Sequence, residues 1–159
     1  MPISNRGQTS HSTYFVTSST FGKRQPLQDP KYARLLLDCI EGHRQKQRFD
    51  LHAYVIMLDH FHLIVTPAVD LTLEKVMQFI KGGFSFRIKK EHGFFGEVWQ
   101  TSFYDRRVRD FEEYQRLRDY VHSNPARRGL PEDYECTSVR RCDLDPLPQR
   151  LKPDGVAML

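Results

Sequence analysis

The chain has 159 residues and carries 24 Lys and Arg against 20 Asp and Glu, a net charge of +4 with neutral histidines. That length suits one domain with at most a tail, and it is enough to bury a core without disulfides or a structural metal. A hydrophobic content of 39% and the lack of any apolar run near the ~18 residues of a membrane span point away from membrane and fibrous classes; the mildly basic balance permits a nucleic-acid partner without demanding one.

The first residues, MPISNRGQTSHSTYF, lack the apolar stretch of a signal peptide, so secretion is not expected. Residues 1–11 are polar and unpatterned, which suits a loose segment. Residues 13–19 (TYFVTSS) are rich in β-branched and aromatic side chains and read as a strand. Asp29 followed by Pro30 signals a helix start. Tyr32, Leu35, Leu36, Cys39, Ile40 and His43 then recur at helical spacing, to about Arg48. Residues 50–58 alternate, with His52, Tyr54, Ile56 and Leu58 on one side and Leu51, Ala53, Val55 and Met57 on the other. Residues 60–66 (HFHLIVT) read as another strand after a tight connection near Asp59, and these last two pair as an antiparallel hairpin.

Asp70 is the expected cap of the next helix, whose stripe runs through Leu73, Val76, Met77, Ile80, Phe84 and Ile88 to about Glu91. Gly82 and Gly83 interrupt that stripe, marking either a kink or the close approach of another backbone. A short strand is expected around residues 102–107. Asp110 and Glu113 then make a capping-box pattern, opening a helix with Phe111, Tyr114, Leu117 and Val121 on its apolar face and Pro125 at its end. The order β-α-β-β-α-β-α matches a ferredoxin-like (RRM-like) α+β fold. It implies a four-stranded antiparallel sheet with helices on one face, plus an added C-terminal helix.

Cys39, Cys136 and Cys142 are odd in number and form no C-x-x-C pair, which excludes a disulfide framework and a thiolate zinc site and suits a reducing cytoplasm. Among seven histidines, His60 and His62 stand out. Alternate residues on a strand share a face, so both imidazoles can meet one divalent metal. The alternative is two polar residues on a half-exposed strand, although the apolar flanks MLD and LIV argue for burial. Tyr120 and Asn124 lie one helical turn apart at the edge of the last apolar stripe, where a side chain can reach a cleft. Singly, each also reads as an ordinary core-edge tyrosine and a helix terminator. Lys81, Arg87, Lys89 and Lys90 lie on the second long helix; Arg106, Arg107 and Arg109 follow the last strand; Arg127 and Arg128 follow the last helix. Aromatics including Trp99, Phe94, Phe95, Phe103 and Tyr104 interleave with them, a pattern suited to single-stranded nucleic acid, and equally to a solvated face over core aromatics. Residues 1–130 hold 20 Lys and Arg against 14 Asp and Glu, and residues 131–159 hold four against six, so a basic body carries an acidic tail.

The segments DHFHLIVTP, FIKGGFSFRIKKEHGFFGEVWQTSFYDRRVRD and RDYVHSNPARRGL, in this order and spacing, resemble the REP-associated tyrosine transposases, single-tyrosine relatives of the HUH (His-hydrophobic-His) enzymes. The resemblance covers about residues 13–130 and implies the same ferredoxin-like sheet. It assigns the histidine pair to His60 and His62, the nucleophile to Tyr120 and the remaining metal ligand to Asn124, with Tyr114 as the second-choice nucleophile. Leu58 and Asp59 depart from the proline or glycine turn usual before the pair. The implied function is a metal-dependent endonuclease and strand transferase on single-stranded DNA with hairpins. It uses Mg²⁺ or Mn²⁺ and a 5′-phosphotyrosine intermediate, acts as a monomer or homodimer, and works in the bacterial cytoplasm at the nucleoid. The other reading is a catalytically inactive DNA- or RNA-binding protein on the same fold. Residues 1–130 are then the transposase domain and 131–159 a tail, either loosely ordered or with residues 131–141 folded back over the site.

Overall fold

The structure is a computed structural model that describes residues 11–22 and 24–153; of the polar stretch 1–11, only His11 falls among them. The chain runs β1 (Tyr14–Ser19), α1 (Pro30–Gln45), β2 (Phe49–Ile56), β3 (His60–Pro67), α2 (Leu73–His92), β4 (Tyr104–Arg107) and α3 (Phe111–Arg127). Single 3-10 turns stand at Pro26–Gln28 and Gln149–Leu151. The strands lie in the order β2-β3-β1-β4 and every neighbouring pair is antiparallel, the ferredoxin-like α+β arrangement.

The helix starts follow local chemistry. Asp29 accepts a hydrogen bond from the Lys31 N–H at 2.9 Å, with Pro30 preset for the first turn. At α2 the cap is Thr72, whose hydroxyl accepts from the Lys75 N–H, and not the expected Asp70. Gly93, at φ 64°, closes that helix in the left-handed conformation. Gly82 and Gly83 do not interrupt it. A Cβ on Gly83 would stand 3.4 Å from His43 Nε2, so the missing side chain lets α1 pack close. Pro125 does not end α3 but sits in its last turn, which reaches Arg127.

All eight residues of β3 are buried, so both faces of the sheet need a cover. One core joins Val16, Phe61, Leu63 and Val65 to Leu36 and Ile40 of α1 and to Val76, Ile80 and Phe84 of α2. The other joins Phe15, Val55 and Ile64 to Tyr114 and Val121 of α3. The two helices of the β-α-β-β-α-β unit share one face as expected, and the added helix α3 takes the opposite face. The alternation read along β2 also breaks. A bulge between Leu51 and Ala53 leaves His52 as the extra residue and turns Leu51 to the same core as Tyr54 and Ile56.

The free edge of β2 is covered by the segment after α3. The Ile56 N–H donates to Cys136 O at 2.9 Å, the Ser138 N–H to Tyr54 O at 3.0 Å, and the Asp145 N–H to Leu51 O at 3.0 Å. The Asp145 carboxylate accepts from Arg44 Nε and from the Leu51 N–H, each at 2.8 Å. These contacts fall on β2 and α1, not over the histidine pair, where a fold-back of residues 131–141 would have placed them. The bulged His52 joins the same network. Its Nδ1 faces the Asp145 carbonyl at 2.9 Å, which can only accept, so Nδ1 carries the proton and Nε2 accepts from Thr66 Oγ1 at 2.8 Å. Burial lowers the His52 pKa, in keeping with a neutral ring.

Asp145→Ala removes the acceptor of two of these bonds and is expected to lower the unfolding free energy by about 2–3 kcal/mol. Urea unfolding at neutral pH measures it, and an unchanged midpoint would show that the segment is not anchored there.

Candidate active site

Period-two alternation along β3 sends Phe61, Leu63 and Val65 into the first core and His60, His62 and Ile64 toward α3. His60 and His62 are only 8% and 4% exposed, and their ring centroids are 4.8 Å apart. Each ring is held by its Nδ1. Asp59 Oδ1 accepts from His60 Nδ1 at 2.7 Å, and Thr17 Oγ1, directly across the β1–β3 register, lies 2.8 Å from His62 Nδ1. His62 Nε2 is buried with no hydrogen-bond partner. An imidazole nitrogen left bare in a dry site is a cost unless something coordinates it. The arrangement is that of oriented ligands, with one nitrogen tied back and the other free. Burial, reinforced by the charges of His60, Arg127 and Arg128, lowers the His62 pKa to about 3, so the ring is neutral, and in the tautomer whose Nδ1–H donates to Thr17 Oγ1 the Nε2 lone pair is available.

Tyr120 comes to this pair from α3. Its ring meets His62 edge-on with centroids 5.4 Å apart and rests on Phe15 at 6.0 Å, while Phe15 stacks on His62 at 5.3 Å. The tyrosine is 44% exposed, so its hydroxyl is not locked in the core. The Arg127 guanidinium lies 4.2 Å over the ring and donates to Tyr120 O at 3.0 Å and to Ser123 Oγ at 2.8 Å. Phe15, Thr17, His62, Tyr104, Arg106, Leu117 and Tyr120 together line an open cleft of about 350 Å³. Asn124 is buried one turn beyond Tyr120 on the same helix. Tyr114 is buried in the second core, and burial raises its phenol pKa, which disfavours the phenolate a nucleophile needs. His122 is engaged elsewhere, 2.9 Å from Ser138 Oγ.

The helix bearing Tyr120 is fastened to β4. Asp110 Oδ1 accepts from the Glu113 N–H at 2.7 Å. Glu113 is buried; its Oε1 accepts from the Arg109 N–H at 3.0 Å and its Oε2 from Arg106 at 2.7 Å. The reciprocal half of the expected capping box thus reaches one residue further back than usual.

The expected nucleic-acid residues divide. Arg106, Arg127 and Arg128 belong to the cleft or act on its charge. Arg107 and Arg109 are exposed, on and just after β4, and neither lines the cleft. Arg87, Lys89 and Lys90 lie on α2, behind the sheet, with Arg87 paired to Glu91 at 2.6 Å. Lys81 is half-buried and donates to Gln100 O at 3.0 Å, and burial lowers its pKa. Trp99 sits in the first core against Phe61 and Phe84, its indole N–H donating to Lys81 O. The sequence reading missed Thr17, Phe15 and Asp59 as site residues. Thr17 and Phe15 carry no motif, and only the strand register reveals them; Asp59 had been read as a turn.

Among the described residues no group of three or more His, Cys, Asp and Glu is placed to hold a metal ion. A site here must combine the two imidazoles with a donor of another type. His62 Nε2 is the unpartnered nitrogen there, and the buried Asn124 amide is the donor that the resemblance implies. No helix among the described residues is long and apolar enough to cross a membrane.

Comparison with known proteins gives the family and the fold. The family model described as Transposase IS200 like matches residues 9–124. A REP-associated tyrosine transposase of Escherichia coli (strain K12) is 26% identical over 118 residues, covering 74% of this chain and 68% of the relative. The solved structure of a REP-associated tyrosine transposase bound to a REP hairpin superposes with a TM-score of 0.74 at 23% identity, over 92% of this chain and 89% of that one. A candidate transposase from Deinococcus radiodurans R1 superposes with a TM-score of 0.54 at 20% identity, over 76% and 95%. The strand carrying His60 and His62 and all but the last turn of the Tyr120 helix fall within the matched residues, and the chain belongs to the IS200-like transposase family.

Proposed function

We propose that this transposase is an endonuclease and strand transferase that cuts single-stranded DNA beside a hairpin through a covalent bond to Tyr120. The observation that carries the reading is the half-exposed Tyr120 ring 5.4 Å from His62, whose buried Nε2 has no partner. The named relative bound to a REP hairpin supports a hairpin as the DNA partner.

The chemistry follows from the residues. The Tyr120 phenolate oxygen bonds to the scissile phosphorus as the bond from phosphorus to the 3′ oxygen breaks. The 3′ oxygen leaves, takes up a proton and becomes a free 3′-OH, while the 5′ phosphate stays on the tyrosine. The phosphodiester energy is kept in that linkage, so attack by another 3′-OH rejoins strands without a nucleotide cofactor. Arg127 and Phe15 hold the ring, and Arg106, Arg127 and Arg128 offer positive charge to the backbone. His60, His62 and Asn124 would hold a divalent ion, Mg²⁺ or Mn²⁺, which when bound supplies Lewis-acid polarisation of the phosphate.

Tyr120 and His62 come from one chain, which favours a monomer with its site in cis. Residues 1–130 would then be the catalytic unit and 131–159 a tail, of which residues 136–145 run along β2, in an enzyme acting on DNA in the bacterial cytoplasm.

Incubation of a labelled single-stranded hairpin with protein and Mn²⁺ or Mg²⁺ is expected to give a covalent adduct with the wild type and none with Tyr120→Phe. An adduct persisting in that variant would refute the nucleophile. Mixing His60→Ala with Tyr120→Phe is expected to recover no activity, since recovery requires a site shared between subunits. Thr17→Val, which frees the His62 ring, is expected to weaken Mn²⁺ binding about 10-fold to 100-fold, read by calorimetry. A folded-state pKa below the unfolded value means the unfolded chain binds the extra proton, so His62 removes stability as pH falls from about 6.5 toward about 3. NMR titration of the metal-free protein should accordingly find the His62 ring neutral down to pH 4, and titration near the ordinary histidine value would contradict the burial argument.

A further inference from the structure

Extended backbone continues past the end of β1. Thr20 bridges Trp99, the Thr20 N–H donates to Asp59 O, the Phe21 N–H to Val98 O and the Gln100 N–H to Ser19 O, each bond 2.9 or 3.0 Å long. By strand alternation Phe15, Thr17, Ser19 and Phe21 share one face. Phe15 packs on His62 and Tyr120, Thr17 bonds His62, and Ser19 pairs with His60. Phe21 is the next residue in that row. It is 48% exposed and belongs to neither core, though backbone bonds of Thr20 and Phe21 hold it on both sides.

The strip that holds Phe21 continues into the loop before it, G-F-F-G at residues 93–96. Gly93 (φ 64°) and Gly96 (φ 95°) turn this loop in conformations other residues resist. Phe94 is pinned beneath the Arg24 guanidinium at 4.2 Å, while Phe95 is 90% exposed. Phe21 and Phe95 are thus large apolar rings held in water by an ordered backbone, and Arg24 lies against the same loop, its guanidinium over Phe94 and close to Gly96. Together they make a good stacking platform, because every base has a π-face and every linkage a negative charge.

We propose that Phe21 and Phe95 form a base-stacking track, with Arg24 as its phosphate contact, that carries single-stranded DNA away from the cleft at the His60 end of the sheet. This rests on the reading that the cleft takes single-stranded DNA. The occupant is the unpaired strand beside the hairpin, not the duplex stem and not a second copy of the chain.

The test compares two labelled probes with the full-length protein, a hairpin with single-stranded extensions and the same hairpin without them. Phe21→Ala and Phe95→Ala should each weaken binding of the extended probe about 10-fold, leave the bare hairpin unchanged, and be rescued by Phe95→Trp at the second position. Both side chains lie outside the cores, so folding is not at stake. Unchanged affinity for the extended probe, an equal loss on both probes, or an effect only on sedimentation would each overturn the track. Adduct formation by the wild type and its loss in Tyr120→Phe are read separately, so failure here leaves the catalytic reading standing.

Discussion

Pairing of Thr17 with His62 across β1 and β3 sets the orientation of every other group at the candidate site. It puts the Thr17 hydroxyl 2.8 Å from Nδ1 and leaves Nε2 bare. A slip of one residue in that register would send both histidines into the opposite core, since strand side chains alternate. The register is secured by what lies on the other face, where Phe61, Leu63 and Val65 are fully buried beneath α1 and α2. The histidines can face a cleft because their neighbours hold the strand from behind.

A second fixture brings the tyrosine. The Tyr120 helix starts at a clasp in which buried Glu113 joins the Arg109 backbone to Arg106 of β4. Further along, Val121 enters the second core, and Tyr120, the next residue back, reaches the edge of the cleft. Positive charge gathers at the same place. Arg127 lies over the ring, Arg106 lines the cleft, and both Arg127 and Arg128 act on His62. After α3, Asp145 pairs with Arg44 and Glu135 with Arg34, both on α1 and away from the arginines of the cleft.

The element order was legible because the apolar stripes are long and the capping residues ordinary. His60, His62, Tyr120 and Asn124 were legible as a set only through the resemblance of three segments in fixed order. Singly, each fits a bland reading. What periodicity could not show was non-local. Nothing local tells α3 to cover the second sheet face; that need arises from a β3 buried on both sides. The His52 bulge, the use of residues 136–145 as an edge cover, and the partnership of Thr17 with His62 all depend on strands distant in sequence. Trp99 shows the opposite failure. Its place among basic residues suggested stacking on bases, yet it completes the first core.

On the proposed function His62, tied back by Thr17, presents its free nitrogen as one ligand of a single divalent-ion site. Electron paramagnetic resonance titration with Mn²⁺ in the absence of DNA addresses it without relying on turnover. One bound ion is expected for the wild type and for Tyr120→Phe, and none for a folded His62→Ala variant. Undiminished Mn²⁺ binding by His62→Ala would contradict it.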